Sequence, residues 1–67
     1  MTGQPEPTGT RVELIHMPAD LDPVPPGTRG TVKGGTGGTY AQVWVDWDNG
    51  RRLNLIPGVD HWRRVTD

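Results

Sequence analysis

Apolar and polar side chains alternate in short runs along this chain, and the runs are separated by clusters of glycine and proline. RVELIH (11–16) places Val12 and Leu14 on one face and predicts a first strand. RGTVKG (29–34) predicts a second, with Gly30, Val32 and Gly34 on one side. Gly30 inside that run marks a bend or a close approach of another backbone. YAQVWVDW (40–47) is the longest run, RRLNLI (51–56) follows it, and HWRRV (61–65) predicts a short closing strand. Between the first two runs lies MPADLDPVPPGT, a long loop with four prolines, in which Pro26-Gly27 suits the centre of a type II turn. GGTGGT (34–39) predicts a flexible connection, and PGVD (57–60) interrupts the chain before its last strand.

The Asn49-Gly50 pair sets the register of the third and fourth runs. A two-residue turn centred on it pairs Asp46 with Leu53 and Trp44 with Leu55, which puts leucines beside an aspartate on one face. A three-residue loop, Asp48-Asn49-Gly50, with Gly50 left-handed, instead pairs Trp47 with Arg51, Val45 with Leu53 and Val43 with Leu55. All the aliphatic side chains then share a face. Because a one-residue slip reverses every side chain, the hydrophobic pattern selects the bulged loop.

That register separates two neighbouring tryptophans. Trp47 joins Val43 and Val45 inside. Trp44 points outward with Gln42, Asp46, Arg52 and Asn54, and Tyr40 lies further along the same face. Asp46 stands opposite Arg52 as an exposed ion pair, and Arg52 lies diagonal to Trp44, placed to cover its indole. Two roles are open to Trp44: a ring capped by Arg52 and a nearby loop, or a platform for a ligand. The expected core is Val12, Leu14, Val32, Val43, Val45, Trp47, Leu53, Leu55, Val59 and Trp62, with Leu21, Val24, Ile15, Ile56 and Val65 at its edges.

Composition narrows the class. The 67 residues suffice for one small domain, near the lower limit for folding without metal or disulfide. There is no cysteine, hence no disulfide staple and no thiolate ligand, which fits a cytoplasmic protein. No apolar run approaches the ~18 residues of a membrane span. MTGQPEPTG has nothing to bury and predicts a disordered tail over 1–9, ahead of a folded domain over 10–67. Charge is uneven: one base against four acids in residues 1–28, then six bases against four acids in 29–67, for a net −1.

Catalytic chemistry finds little support. Serine is absent as well as cysteine, and no carboxylate pair falls in an apolar setting. The glycines of GGTGGT run into a strand rather than a helix, so they do not form a phosphate loop. His16 and His61 fall near the ends of the first and last strands, which adjoin in a small barrel, so the imidazoles are expected near one another. With Asp60 they make only a sparse set of metal ligands, and no metal or other cofactor is expected.

Five short strands with a long first loop, a glycine-rich second loop, a tight hairpin and a one-turn break describe an all-β, five-stranded SH3-like barrel. The segments GTRVELIHMPAD, PVPPGTRGTV and VDWDNGRRLNLIPGVD, with the closing aromatic strand, resemble domain of unknown function 4314, a small family of bacteria and phages. The likeness runs from about residue 9 to residue 65. It implies an SH3-like fold, frequent occurrence on phage genomes and mobile elements, and no established activity, so it carries over no catalytic residue.

The expected function is therefore a non-enzymatic binding module. A protein or peptide partner is favoured, held by Tyr40, Trp44, Arg52 and Asn54. A groove between the long first loop, the glycine-rich loop and the IPGVD turn could take an extended peptide, with Asp20 and Asp22 available to a basic residue. The alternative is nucleic acid, with rings stacked on bases and Arg52 and Lys33 on phosphates, in an accessory protein of a phage or mobile element. The net charge of −1 weighs against it. An accessory piece of a larger assembly is a further reading. No membrane and no small-molecule substrate is expected.

Overall fold

The structure, a computed structural model, describes residues 6–38 and 41–65. Four strands form among them: β1 (Arg11–His16), β2 (Arg29–Thr36), β3 (Gln42–Trp47) and β4 (His61–Arg64). They make one antiparallel sheet in the order β3-β2-β1-β4. The described residues contain no helix, and thus none long and apolar enough to cross a membrane.

The predicted strand over residues 51–56, the fourth of the five expected, is a difference from expectation. It contributes two isolated bridges to β3, Val43 with Leu55 and Asp46 with Arg52, and the sheet does not close among the described residues. The bridges nevertheless carry the register of the bulged loop. Gly50 has φ 91°, Trp47 N donates to Arg51 O at 2.8 Å, and Val43 and Leu55 exchange bonds of 2.7 and 2.8 Å. Between those two points the ladder is stretched: Leu53 N lies 3.4 Å from Val45 O. The Trp47 indole supplies a reason, because its Nε1 donates to Leu53 O at 2.9 Å and draws that carbonyl into a side-chain bond.

The core is Val12, Leu14, Met17, Val24, Val32, Val43, Val45, Trp47 and Leu55, with Leu53 and Trp62 packed half-buried against it. Several assignments differ from the sequence pattern, among them Ile15 and Ile56, expected at the core edge and exposed. Val59, expected inside, is exposed on the turn before β4, and Leu21, expected at the core edge, is fully exposed. Met17, not expected, is buried. Met17 follows a register shift between Leu14 and His16, which leaves Ile15 and His16 both exposed and turns the next side chain inward.

A second register shift falls between Val32 and Gly34 of β2. Strict alternation put Gly30, Val32 and Gly34 on one face. The extra residue, Lys33, moves Gly34 to the opposite face, where it pairs with Trp44. The turn over residues 56–60 is closed by Asp60, whose buried carboxylate accepts from Ile56 N at 2.8 Å while its own N–H donates to Ile56 O at 2.9 Å. The start of the described chain is also tied down. Gly9 N donates to Val32 O at 2.7 Å, and the Glu6 carboxylate accepts from Trp62 Nε1 at 3.0 Å and Arg64 Nε at 2.6 Å. Residues 6–9, assigned to a tail by composition, thus lie against β2 and β4; residues 1–5 are outside the described part.

Candidate partner-binding face

Alternation along β3 divides its side chains cleanly. Val43, Val45 and Trp47 are buried, while Trp44 is 45% exposed and Gln42 is exposed beside it. The bridges that flank it place Asn54 across from Trp44, and Gly34 pairs with Trp44 on its other side. A row Gly34–Trp44–Asn54 therefore crosses the outer face. A Cβ at Gly34 would stand 2.9 Å from Cε3 of the Trp44 ring, so the indole lies against the bare glycine backbone. Packing an aromatic over a strand glycine fills the surface the glycine leaves empty.

Arg52 does not serve as the expected cover. Its Nε lies 3.7 Å from Asp46 Oδ1, and its side chain is 88% exposed. A pair this open contributes about 0–1 kcal/mol. Asn54 turns its amide to Gln42, donating from Nδ2 to Oε1 at 2.8 Å. Two polar pairs thus bracket the tryptophan, one on each side along the strands.

The loop acids behave differently from one another. Asp22 is engaged: its main-chain O accepts from Arg51 Nη1 at 2.8 Å, and its carboxylate lies 3.6 Å from the same guanidinium. Asp20 accepts from Asp22 N at 2.9 Å and lines an open groove of about 300 Å³ with Gln42, Arg52, Leu53, Asn54 and Ile56. Three residues singled out in the sequence, Asp20, Arg52 and Asn54, are therefore brought together, and Trp44 adjoins them across the sheet. Tyr40 lies outside the described residues. Gln42, Leu53 and Ile56 were not singled out for the site. Gln42 had a signal, since it shares the outward parity of Trp44, and Ile56 opens the IPGVD turn that the sequence placed at the edge of a groove.

The rest of the outer face is a lattice of ion pairs. Arg11 grips Asp48 through two bonds of 2.9 and 2.6 Å and also donates to Thr31 Oγ1 at 2.9 Å. Glu13 sits between Arg29 at 3.2 Å and Arg63 at 3.0 Å. Bonds from Arg63 and then Arg29 hold the Glu13 carboxyl below its usual range, and the Arg11 bonds do the same for Asp48. These arginines are occupied by carboxylates within the fold.

The two histidines meet as the sequence led us to expect. His16 pairs with His61 across β1 and β4, with ring centroids 6.4 Å apart and planes 15° from parallel. Asp60 is committed to its turn, and the described residues hold no cluster of three or more metal-ligating side chains.

The family model described as "Domain of unknown function (DUF4314)" matches residues 4–65. The chain belongs to that family. No curated protein and no solved structure matches it.

Proposed function

We propose that this chain is a non-enzymatic binding module, built as a small SH3-like barrel, that takes a protein or peptide partner on the corner formed by β3 and residues 51–56. The barrel reading rests on neighbour order. Residues 51–55 flank β3, then come β2, β1 and β4, so successive segments adjoin and the last returns to the first. The observation that carries the binding reading is Trp44: a large apolar ring left half in water, seated on Gly34, beside an open groove. The few residues that dominate binding energy at protein interfaces are enriched in tryptophan, tyrosine and arginine.

Asp20, Arg52 and Asn54 are the polar contacts of this surface, and Asp22 supports the loop through Arg51. Nucleic acid fits less well, because Arg11, Arg29 and Arg63 would have to leave Asp48 and Glu13 to reach phosphates. A cytoplasmic site of action suits a chain without cysteine.

The test is retention of a partner from the source organism on the immobilised chain, compared with Trp44→Ala. The reading expects a protein that is retained by the wild type, lost by Trp44→Ala and held through a rise in salt. A retained nucleic acid whose affinity falls steeply with salt would replace it with the other class of ligand. A partner held equally by wild type and Trp44→Ala would remove this corner from the site.

A further inference from the structure

Segment 51–55 spends only half of its backbone groups on β3. Arg51 O, Leu53 N and both groups of Leu55 face β3, at 2.8, 3.4, 2.8 and 2.7 Å from their partners. In an extended segment alternate residues turn their N–H and C=O to opposite edges, so those of Arg52 and Asn54 point away. Among the described residues, neither main-chain group of Arg52 or Asn54 has a hydrogen-bond partner. The turn at 48–50 limits this free edge on one side. On the other, Ile56 N is taken by Asp60 and Ile56 O by Val59 and Asp60. What remains is a short edge of two donors and two acceptors, opening on the groove lined by Asp20, Leu53 and Ile56.

The acids of this corner indicate the chemistry of the occupant. Asp22 has Arg51 and Asp46 has Arg52, whereas Asp20 has no cation among the described residues. We propose that the partner is engaged by strand addition. In this arrangement, an extended peptide pairs its backbone with Arg52 and Asn54, sets a lysine or arginine against Asp20, and rests an apolar side chain on Leu53 and Ile56. This inference rests on the binding reading above and names its mode and the charge of its ligand. Strand addition of this kind draws affinity from main-chain bonds and selectivity from the alternate side chains.

The experiment uses the isotope-labelled full chain and three end-blocked peptides. One alternates lysine with valine, one alternates glutamate with valine, and one is the lysine peptide methylated on alternate backbone nitrogens. The lysine peptide should slow amide exchange at Arg52 and Asn54 and bind about tenfold more tightly than the glutamate peptide, the scale of one favourable charge contact. The methylated peptide should not bind. Asn54→Pro removes the outward-facing N–H together with the exposed side-chain bond to Gln42, changes an edge strand tolerates, so the fold should persist while lysine-peptide binding is lost. Asp20→Asn should bring the lysine and glutamate affinities together. Binding that leaves the Arg52 and Asn54 amides exchanging as in the free chain would overturn the inference. Failure of the lysine peptide to bind would also overturn it. Concentration-dependent protection of those amides without peptide would assign the edge to a second copy of the chain instead. A partner lost on Trp44→Ala but kept by Asn54→Pro would sink strand addition while sparing the binding surface.

Discussion

Trp47 and Trp44 lie three residues apart, and each is seated over a glycine of β2, yet they sit on opposite faces of the sheet. Trp47 packs on Gly30 inside. A Cβ at Gly30 would meet Val45 Cγ1 at 2.6 Å, the Asp46 main-chain O at 2.8 Å and Trp47 Cε3 at 2.9 Å. The ring is 3% exposed, and its Nε1 is bonded to Leu53 O. Trp44 packs on Gly34 outside, where the three nearest atoms that a Cβ would meet all belong to its ring, the first at 2.9 Å. The same pairing of indole and glycine therefore builds scaffold on one face and leaves an accessible apolar surface on the other. What separates them is the enclosure around each ring, not residue type.

The sharpest contrast comes from removing each ring. Trp47→Ala should cost about 3–5 kcal/mol, comparable to the whole stability of a domain this small, and leave the chain unfolded at room temperature. Trp44→Ala should stay within about 1 kcal/mol of wild type. Urea titrations followed by far-ultraviolet circular dichroism measure both. Similar losses for the two would erase the distinction.

The glycines sharpen it further. Gly30→Ala should destabilise by about 1–3 kcal/mol or more, because the Asp46 backbone and two enclosed side chains must all shift. At Gly34 the side chain nearest an added Cβ is the half-exposed Trp44 ring, which has room to swing into solvent. The cost of Gly34→Ala should stay below about 1 kcal/mol, with the visible change a shift of the Trp44 indole signal in the NMR spectrum.

The ion-pair lattice adds the smallest effect, and it has a definite sign. Glu13 and Asp48 have lowered folded pKa values, so their contribution is complete at neutral pH and is lost as pH falls below the usual carboxylate range and through those lowered values. Melting temperatures measured from neutral pH downward should drop on that limb. The drop should be shallower in Glu13→Gln.

Much of this contrast was legible in the sequence because β3 keeps strict alternation and its hairpin admits one register that gathers the aliphatics. The loop at Asp48-Asn49-Gly50 and the opposite senses of Trp44 and Trp47 follow from it, while the meeting of His16 with His61 follows from the first and last strands being neighbours. What alternation misses is the bulge. One shift after Leu14 buries Met17, and another at Lys33 carries Gly34 to the outer face beneath Trp44. An inserted residue leaves no mark in a run of six or eight, since either parity reads as an acceptable strand. Residues 51–56 looked like a full strand because composition cannot show that Trp47 Nε1 claims the Leu53 carbonyl. Glu6 lay in a stretch with nothing apolar to bury, and its role is polar: it satisfies Trp62 and Arg64 from outside the sheet. A groove between the first loop and the IPGVD turn was legible, but not its lining, since that depends on how the loop bearing Asp20 lies beside Ile56.

The most direct test of the central claim is hydrogen exchange at the three indole nitrogens of the unmodified chain. The Trp47 Nε1 proton, buried and bonded to Leu53 O, should exchange only as slowly as the amides of Val43 and Val45. The Trp44 proton, which has no partner among the described residues, should exchange near the rate of an open indole. A Trp44 proton as protected as that of Trp47, or a Trp47 proton that exchanges freely while the Val43 and Val45 amides stay protected, would contradict the account.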